Sequence, residues 1–341
     1  MKVLLCCILK MENHYLEEWV RHYINLGIDK IVIYDNNDLD GPYAENIESI
    51  KYIKEQKDNG IIDVYKIPNE TCVQLKYYNE CYKKYSNYDW LLFLDIDEYL
   101  MLENHTNIKD FLSQDKFKNY NMIHVNWKTF TDNEKLKVEN NDYSLVNRFT
   151  TPCKNIPSLN KKVDEEIKSI VRGGINNLRF LKNPHTLDSL KISCCDAEGN
   201  VANNIEQKTK NIVHTSAWIN HYICKTIEEY CKTKLIRLGG HTPHKQNVRY
   251  TRNFFFMYNV TTREKIRIFN QLVNKIRTRR VTVPIKLSTP VKQEISSPVP
   301  PVYHKNPIVV GIPLKRNEVK KITVLESSIP LTNSHKLKQI K

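Results

Sequence analysis

Three carboxylates follow an apolar run in Trp90-Leu-Leu-Phe-Leu-Asp95-Ile-Asp97-Glu98-Tyr99. Clustered carboxylates repel one another and cost desolvation, so the pattern asks for a cationic partner. Hard oxygen ligands of this kind suit Mn²⁺ or Mg²⁺, and those ions bridge to phosphate oxygens. In an extended chain successive side chains alternate, which would put Asp95 and Asp97 on one side with Ile96 turned to the core. The competing reading is a solvated acidic turn, because Asp-x-Asp recurs by chance. The five-residue apolar run in front of it favours metal and nucleotide binding.

The elements that must position these carboxylates are legible over the first 125 residues. Val3 to Leu9 reads as a buried strand. A helix follows with Leu16, Trp19, Val20, Tyr23 and Leu26 on one face, stopped by Gly27. Lys30 to Tyr34 is a second strand, closing in Asp35-Asn-Asn-Asp38. A helix over Tyr43 to Lys57, a strand over Ile61 to Ile67, a helix over Cys72 to Tyr85 and a strand over Trp90 to Leu94 complete the series. Such βαβ alternation predicts an α/β fold with a mostly parallel sheet flanked by helices, and ligands in these sheets bind beyond the carboxyl ends of the strands. Asp35 and the Asp95 group both fall there. Further on, strands are expected at Asn121 to Trp127, Ile170 to Phe180 and Asn211 to Val213. Residues 132 to 165 read as loop. Helices are expected at Thr226 to Leu238, ending at Gly239-Gly240, and at Arg263 to Arg280.

Composition limits the alternatives. The chain has 341 residues and a net charge of +14, a balance that favours anionic partners without choosing among them. The excess is uneven: from Val281 onward ten Lys/Arg face three Asp/Glu, and eight of the 14 prolines lie there. Half of the net charge therefore belongs to a Pro-rich tail, expected to be extended or disordered apart from a short strand at Ile308 to Val310. No nucleic acid is expected on the core, and peripheral contact with acidic membrane surfaces is expected of the tail alone. Val3 to Leu9 is too short for a signal peptide, and no run approaches the ~20 apolar residues of a membrane span. The nine cysteines include no Cys-x-x-Cys. Reduced, mostly buried thiols in a cytoplasmic setting are the reading, rather than a disulfide framework or a zinc site.

The residues also carry a resemblance. Asp95-Ile-Asp97-Glu98 after an apolar strand is similar to the Asp-x-Asp motif of GT-A-fold glycosyltransferases. Lys10-Met-Glu12 to Trp19, His22 to Gly27 and Ile33-Tyr-Asp35-Asn-Asn resemble the opening of the family-2-like and family-92-like members. Trp127-Lys-Thr-Phe-Thr-Asp132-Asn133, Lys168 to Arg172, Asn183-Pro-His185 and Asn220-His221-Tyr222-x-x-Lys225 resemble later blocks in the same order. Two departures stand out: Glu134 follows Asn133 where the family often has Gly, and Thr226 follows Lys225 where it often has Ser.

The resemblance implies a GT-A-like nucleotide-sugar-binding domain over residues 1 to 240, with a helical extension from 241 to 280 and the tail from 281 to 341. It implies transfer of a sugar, hexosyl in type, from a nucleotide-sugar donor, commonly UDP-linked, to an acceptor hydroxyl, with a Mn²⁺ or Mg²⁺ cofactor; inversion at the sugar carbon is expected beside it, a route for which a single carboxylate base suffices. By the same resemblance Asp95, Asp97 and His221 are expected on the metal. Glu12, Asp35, Asp95, Lys168 and Lys225 are expected on the donor, Trp127 and His185 on the acceptor side, and Asp132 as the general base; a turn-capping role for Asp132 is the competing reading. Two other functions compete. A polyanion- or membrane-binding protein acting through its tail would explain the charge but not the ordered blocks. A sugar-phosphate nucleotidyltransferase would need a Gly-rich phosphate loop after the first strand, and Cys6-Cys7-Ile-Leu-Lys10-Met-Glu12 has no glycine.

Overall fold

The computed structural model describes residues 1–153, 164–180, 183–186, 192–203, 208–209, 211–237 and 251–281. Within them β1 (Val3–Leu9), β2 (Lys30–Asp35), β3 (Ile62–Lys66) and β4 (Trp90–Phe93) form the parallel half of a sheet. It continues through β5 (Glu98–Leu102), β6 (Met122–Thr129), β7 (Ile167–Arg172) and β9 (Ala217–His221), in the order β3-β2-β1-β4-β7-β6-β9-β5, and β8 (Cys194–Asp196) pairs with β6. Five of the eight pairings are parallel. The fold is thus the α/β arrangement expected, a mostly parallel sheet flanked by helices.

Both faces of β1 are buried, and its alternation sorts the core. Val3, Leu5, Cys7 and Leu9 pack in one cluster with Leu16, Trp19 and Tyr23 of α1 (Asn13–Asn25). Leu4 and Cys6 pack in the other with Tyr77, Tyr78 and Cys81 of α3 (Gln74–Lys84). A strand covered on both faces must be apolar throughout, which is why the run is uninterrupted. Gly27 ends the first helical segment at φ +95°, a conformation that strains any residue with a Cβ.

Several expected elements differ. The Tyr43 to Lys57 helix is replaced by a 3-10 turn at Ile47–Ser49 and α2 (Lys51–Asp58). The Asn46 side chain accepts from the Glu48 N–H and starts the turn, and extended Ile50 separates the two pieces. α3 begins two residues later than expected because Cys72 sits at φ +58°. β7 starts at Ile167 and stops before Gly173, where a Cβ would lie 1.8 Å from the Tyr88 carbonyl oxygen. The residues after it form no strand up to Phe180, nor does Asn211 to Val213; β5, β8 and β9 were not foreseen. The segment read as loop holds a short helix, α5 (Leu145–Arg148), and α4 (Ile108–Leu112) precedes β6.

The C-terminal helices of the described region are α6 (Ile227–Lys232), α7 (Arg252–Met257) and α8 (Arg263–Val281). α6 is shorter than expected and opens with a capping box, Thr226 and Glu229 satisfying each other's backbone N–H groups. These helices share a core of Ile223, Tyr230, Phe255 and Phe269. None of the nine cysteines is in a disulfide and eight are buried. Among the described residues no helix is long and apolar enough to cross a membrane. Gly239-Gly240 and Ile308 to Val310 lie outside the described residues.

Candidate active site

The acidic motif is a turn rather than an extended segment. After β4 the Glu98 N–H bonds back to the Asp95 carbonyl at 3.0 Å, and Glu98 opens β5 opposite His221 of β9. The alternation expected for Asp95 and Asp97 therefore does not apply. The turn is set by α1: the Trp19 indole N–H donates to the carbonyls of Asp95 and Glu98 at 3.1 and 2.9 Å, and the Tyr23 hydroxyl donates to the Glu98 carbonyl.

Each carboxylate then meets at least one cation, and two of the cations are shared. Asp95 lies 3.1 Å from the Lys168 ammonium and accepts from Gln74 and Tyr78, two α3 side chains whose spacing read equally well as packing. Glu98 is fully buried, accepts from the Asp95 N–H, and also lies 3.1 Å from Lys168. Burial pushes its pKa up to about 8, with Lys168 opposing and Asp95 adding to the rise. Asp97 is buried beside Lys234 at 2.6 Å and Lys225 at 3.4 Å, and its other oxygen is 3.8 Å from His221 Nε2. Burial alone would raise the Asp97 pKa; Lys234 and Lys225 outweigh it and hold the carboxyl well below its usual range. Glu12, at the start of α1, pairs with Arg237 at 2.9 Å and Lys225 at 3.5 Å. Lys225 lies between Glu12 and Asp97, with its ammonium 4.8 Å from the Tyr15 ring centre, and its backbone is left-handed at φ +59°.

His221 connects this cluster to the residues expected on the acceptor side. Its ring lies 4.1 Å from Trp127, which lies 5.4 Å from His185. His185 Nδ1 is fixed 2.7 Å from the Ile167 carbonyl oxygen. Trp127 Nε1 and His221 Nδ1 are buried without a hydrogen-bond partner among the described residues. Burial lowers the His221 pKa to about 3, so the imidazole is neutral.

Asp35 lies at the end of β2. With Asn37, Glu45, Asn46, Lys66 and Pro68 it lines a cavity of about 170 Å³, smaller than the ~300–1,000 Å³ that holds a drug-sized ligand. Burial raises the Asp35 pKa against the hydrogen bond from the Asn37 N–H.

Two expected roles meet different partners. Lys168, expected on the donor diphosphate, is buried between Asp95 and Glu98, of which Asp95 alone is partly exposed. Asp132, expected as general base, is buried with one oxygen accepting from the Glu134 N–H and the other 2.7 Å from the Lys265 ammonium of α8. An acceptor hydroxyl would have to displace Lys265 to reach it. The turn there has Asn133 at φ +47° and Glu134 at φ +59°, which is the physical reason a glycine suits the second position.

Among the described residues no three His, Cys, Asp or Glu side chains are grouped to hold a metal ion, so the set Asp95, Asp97 and His221 is not assembled as one site. The donor pair Asp97 Oδ1 and neutral His221 Nε2 does suit one divalent cation, a hard oxygen beside an imidazole nitrogen. Sequence reasoning missed Lys234, Arg237 and Lys265. Lys232, Lys234 and Arg237 follow one another at the C-terminal end of α6, where cations ordinarily serve the helix dipole.

The model of glycosyltransferase family 92 matches residues 2–270. The chain belongs to glycosyltransferase family 92. It is a glycosyltransferase, and the match runs through α6 and α7 into the first half of α8. No curated protein matches the chain. Among solved structures it is similar to S. aureus TarS 1–349 (13% identity, 84% of this chain and 76% of that one, TM-score 0.34). It is also similar to GalNAc-T7 with UDP, GalNAc and Mn²⁺ (12%, 38% and 23%, TM-score 0.26) and to HddC of Yersinia pseudotuberculosis (13%, 51% and 71%, TM-score 0.28).

Buried neutral histidines give this family-92 chain a pH signature. Burial lowers His124 to about 4 and His221 to about 3, from an ordinary 6.5. A histidine with a depressed folded pKa contributes stability that is present above 6.5 and lost as pH falls toward the folded value. Glu98 acts in the opposite sense: its contribution is complete below about 4.3 and lost as pH rises through 8. Urea unfolding of His124→Gln against the parent should show the slope of stability with pH between 4 and 6 reduced by about 1.4 kcal/mol per pH unit. An unchanged slope would mean that His124 is not held neutral.

Proposed function

We propose that this family-92 glycosyltransferase moves a hexosyl group from a UDP-linked donor to a hydroxyl of a glycan acceptor, with a divalent cation, Mn²⁺ or Mg²⁺, held by Asp97 and His221. The observation that carries the reading is the pairing of Asp97 Oδ1 with a neutral His221 Nε2, with the Lys225 and Lys234 ammoniums on the other Asp97 oxygen. When bound, the cation supplies charge neutralisation for the departing nucleoside diphosphate.

The chain's own residues do the rest. The cavity at Asp35 takes the base or ribose, with Asn37 and Lys66 on its wall. Lys225, positioned by Glu12 and Asp97, presents an ammonium where negative charge grows on the leaving group, and preorganised charge of that kind costs no reorganisation during reaction. Lys168 acts through Asp95 and Glu98, keeping both carboxylates in place beneath the donor. Trp127 and His185 form the acceptor-side wall beside His221. Asp132 anchors the acceptor-side turn to α8 through Lys265.

Thermal unfolding tests the donor reading. UDP and GDP are added with Mn²⁺ or with EDTA. A nucleotide at a hundredfold excess over its Kd adds about 2.7 kcal/mol of stability, which at this size is a shift of several degrees. The expected result is a shift with UDP that requires Mn²⁺. The same shift in EDTA would remove the cation from the mechanism, and no shift with either nucleotide would overturn the donor assignment.

A further inference from the structure

We propose that Lys234 and Arg237, carried on the turn that follows α6, form a clamp for the donor's diphosphate, closed on Asp97 and Glu12 until a nucleotide arrives. The inference rests on the donor reading above and adds two binding residues to it. Four cations, Lys168, Lys225, Lys234 and Arg237, are packed against Glu12, Asp95, Asp97 and Glu98. A divalent cation at Asp97 and His221 would add positive charge to this cluster, and a diphosphate is its complement.

The cations differ in how firmly they are held. Lys168 is 1% exposed and Lys225 2% exposed, and each is shared by two carboxylates. Lys234 and Arg237 reach the sheet through their side chains. The N–H groups of Thr233, Leu235, Ile236 and Arg237 bond to carbonyls of α6 and its own turn, so the side chains can change partners without disturbing the sheet. Arg237, with 16% of its side chain exposed, spans Glu12 and the Lys10 carbonyl. Its planar fork suits phosphate oxygens as well as it suits Glu12. Lys234 crowds a carboxylate that Lys225 already serves. A divalent cation on Asp97 repels that ammonium, and phosphate oxygens are the natural new partner for it.

Titration calorimetry of the full chain with Mn²⁺ tests the clamp, using UDP and GDP as probes and uridine and guanosine as phosphate-free controls. Lys234→Met and Arg237→Met should each weaken the diphosphate that the parent binds by about 10- to 100-fold, the range of a lost charge-assisted hydrogen bond. Nucleoside affinity should not change, and Lys234→Arg should stay within a few-fold of the parent. Unaltered diphosphate affinity in both Met variants overturns the clamp. Tighter uptake of Mn²⁺ alone by Lys234→Met, with diphosphate affinity unaltered, also overturns it and makes Lys234 a stand-in for the cation. If the parent binds neither UDP nor GDP, the donor reading falls and the clamp with it, a failure seen in the parent rather than in the variants. Should Lys234→Met fail to fold, Arg237→Met, at the more exposed position, decides.

Discussion

Asp97→Asn will lower transfer by about 10²- to 10³-fold, the usual loss when one preorganised electrostatic group is removed from a reacting centre. It will also weaken UDP in the presence of Mn²⁺ by about 10- to 100-fold. Asparagine keeps the shape and removes the charge that faces His221, Lys225 and Lys234. Two buried ammoniums then lose a partner, although Lys225 retains Glu12 at 3.5 Å. Breaking a buried pair costs about 3–5 kcal/mol when the remaining charge has nowhere to go, so the variant should also unfold at lower urea. Asp95→Asn is the comparison. Asp95 is partly exposed, and Lys168 keeps Glu98, so its loss should be smaller on stability and on nucleotide affinity. A transfer assay, calorimetry and urea unfolding on both variants read the three quantities. If Asp97→Asn binds UDP and Mn²⁺ as the parent does, Asp97 is not at the metal and diphosphate junction.

What the sequence revealed and what it hid follow from one physical difference. Strands covered on both faces must be apolar over their whole length, so β1, β2 and β4 are visible as runs, and the ends of β2 and β4 mark Asp35 and Asp95. The turn at Asp95 to Glu98 was hidden because its geometry is imposed from α1, by an indole N–H and a phenol 75 to 79 residues away. Lys234 and Arg237 were hidden for a similar reason. Their partners lie 137 and 225 positions earlier, and cations at the end of a helix have a sufficient local explanation. Asp132 illustrates the opposite case. Its block is legible in sequence, but a carboxylate that reads as a base can be one half of a buried pair, and nothing near it in the chain names the other half.

Lys265 did leave a trace. It lies in the first turn of α8, where the Thr262 hydroxyl caps its N–H and where a cation opposes the helix dipole. A lysine in that position is best accounted for by a partner elsewhere, and the partner is Asp132 at 2.7 Å.

Removing Lys265 should therefore be among the most damaging single changes outside the nucleotide site. Lys265→Met leaves the Asp132 carboxylate buried without its cation, and the expected loss is about 3–5 kcal/mol in urea unfolding. Burial already raises the Asp132 pKa against the pull of Lys265, so desolvation is the dominant cost at this pair. Replacing both partners should then be much milder than replacing one. Asp132→Asn with Lys265→Met is expected to recover most of the loss, because no buried charge remains and the amide can still accept from the Glu134 N–H and leave the Asn259 contact to the Asp132 backbone intact. The same variants separate the anchor from the base. An anchor predicts that transfer follows stability, lowest in Lys265→Met and substantially restored in the double variant. A base predicts that every variant lacking the Asp132 carboxylate loses about 10²- to 10⁴-fold in transfer, the double variant included, however well it folds. Transfer in the double variant at a temperature where it is fully folded is the deciding number, and a value near the parent's assigns Asp132 to holding α8 against the acceptor-side turn.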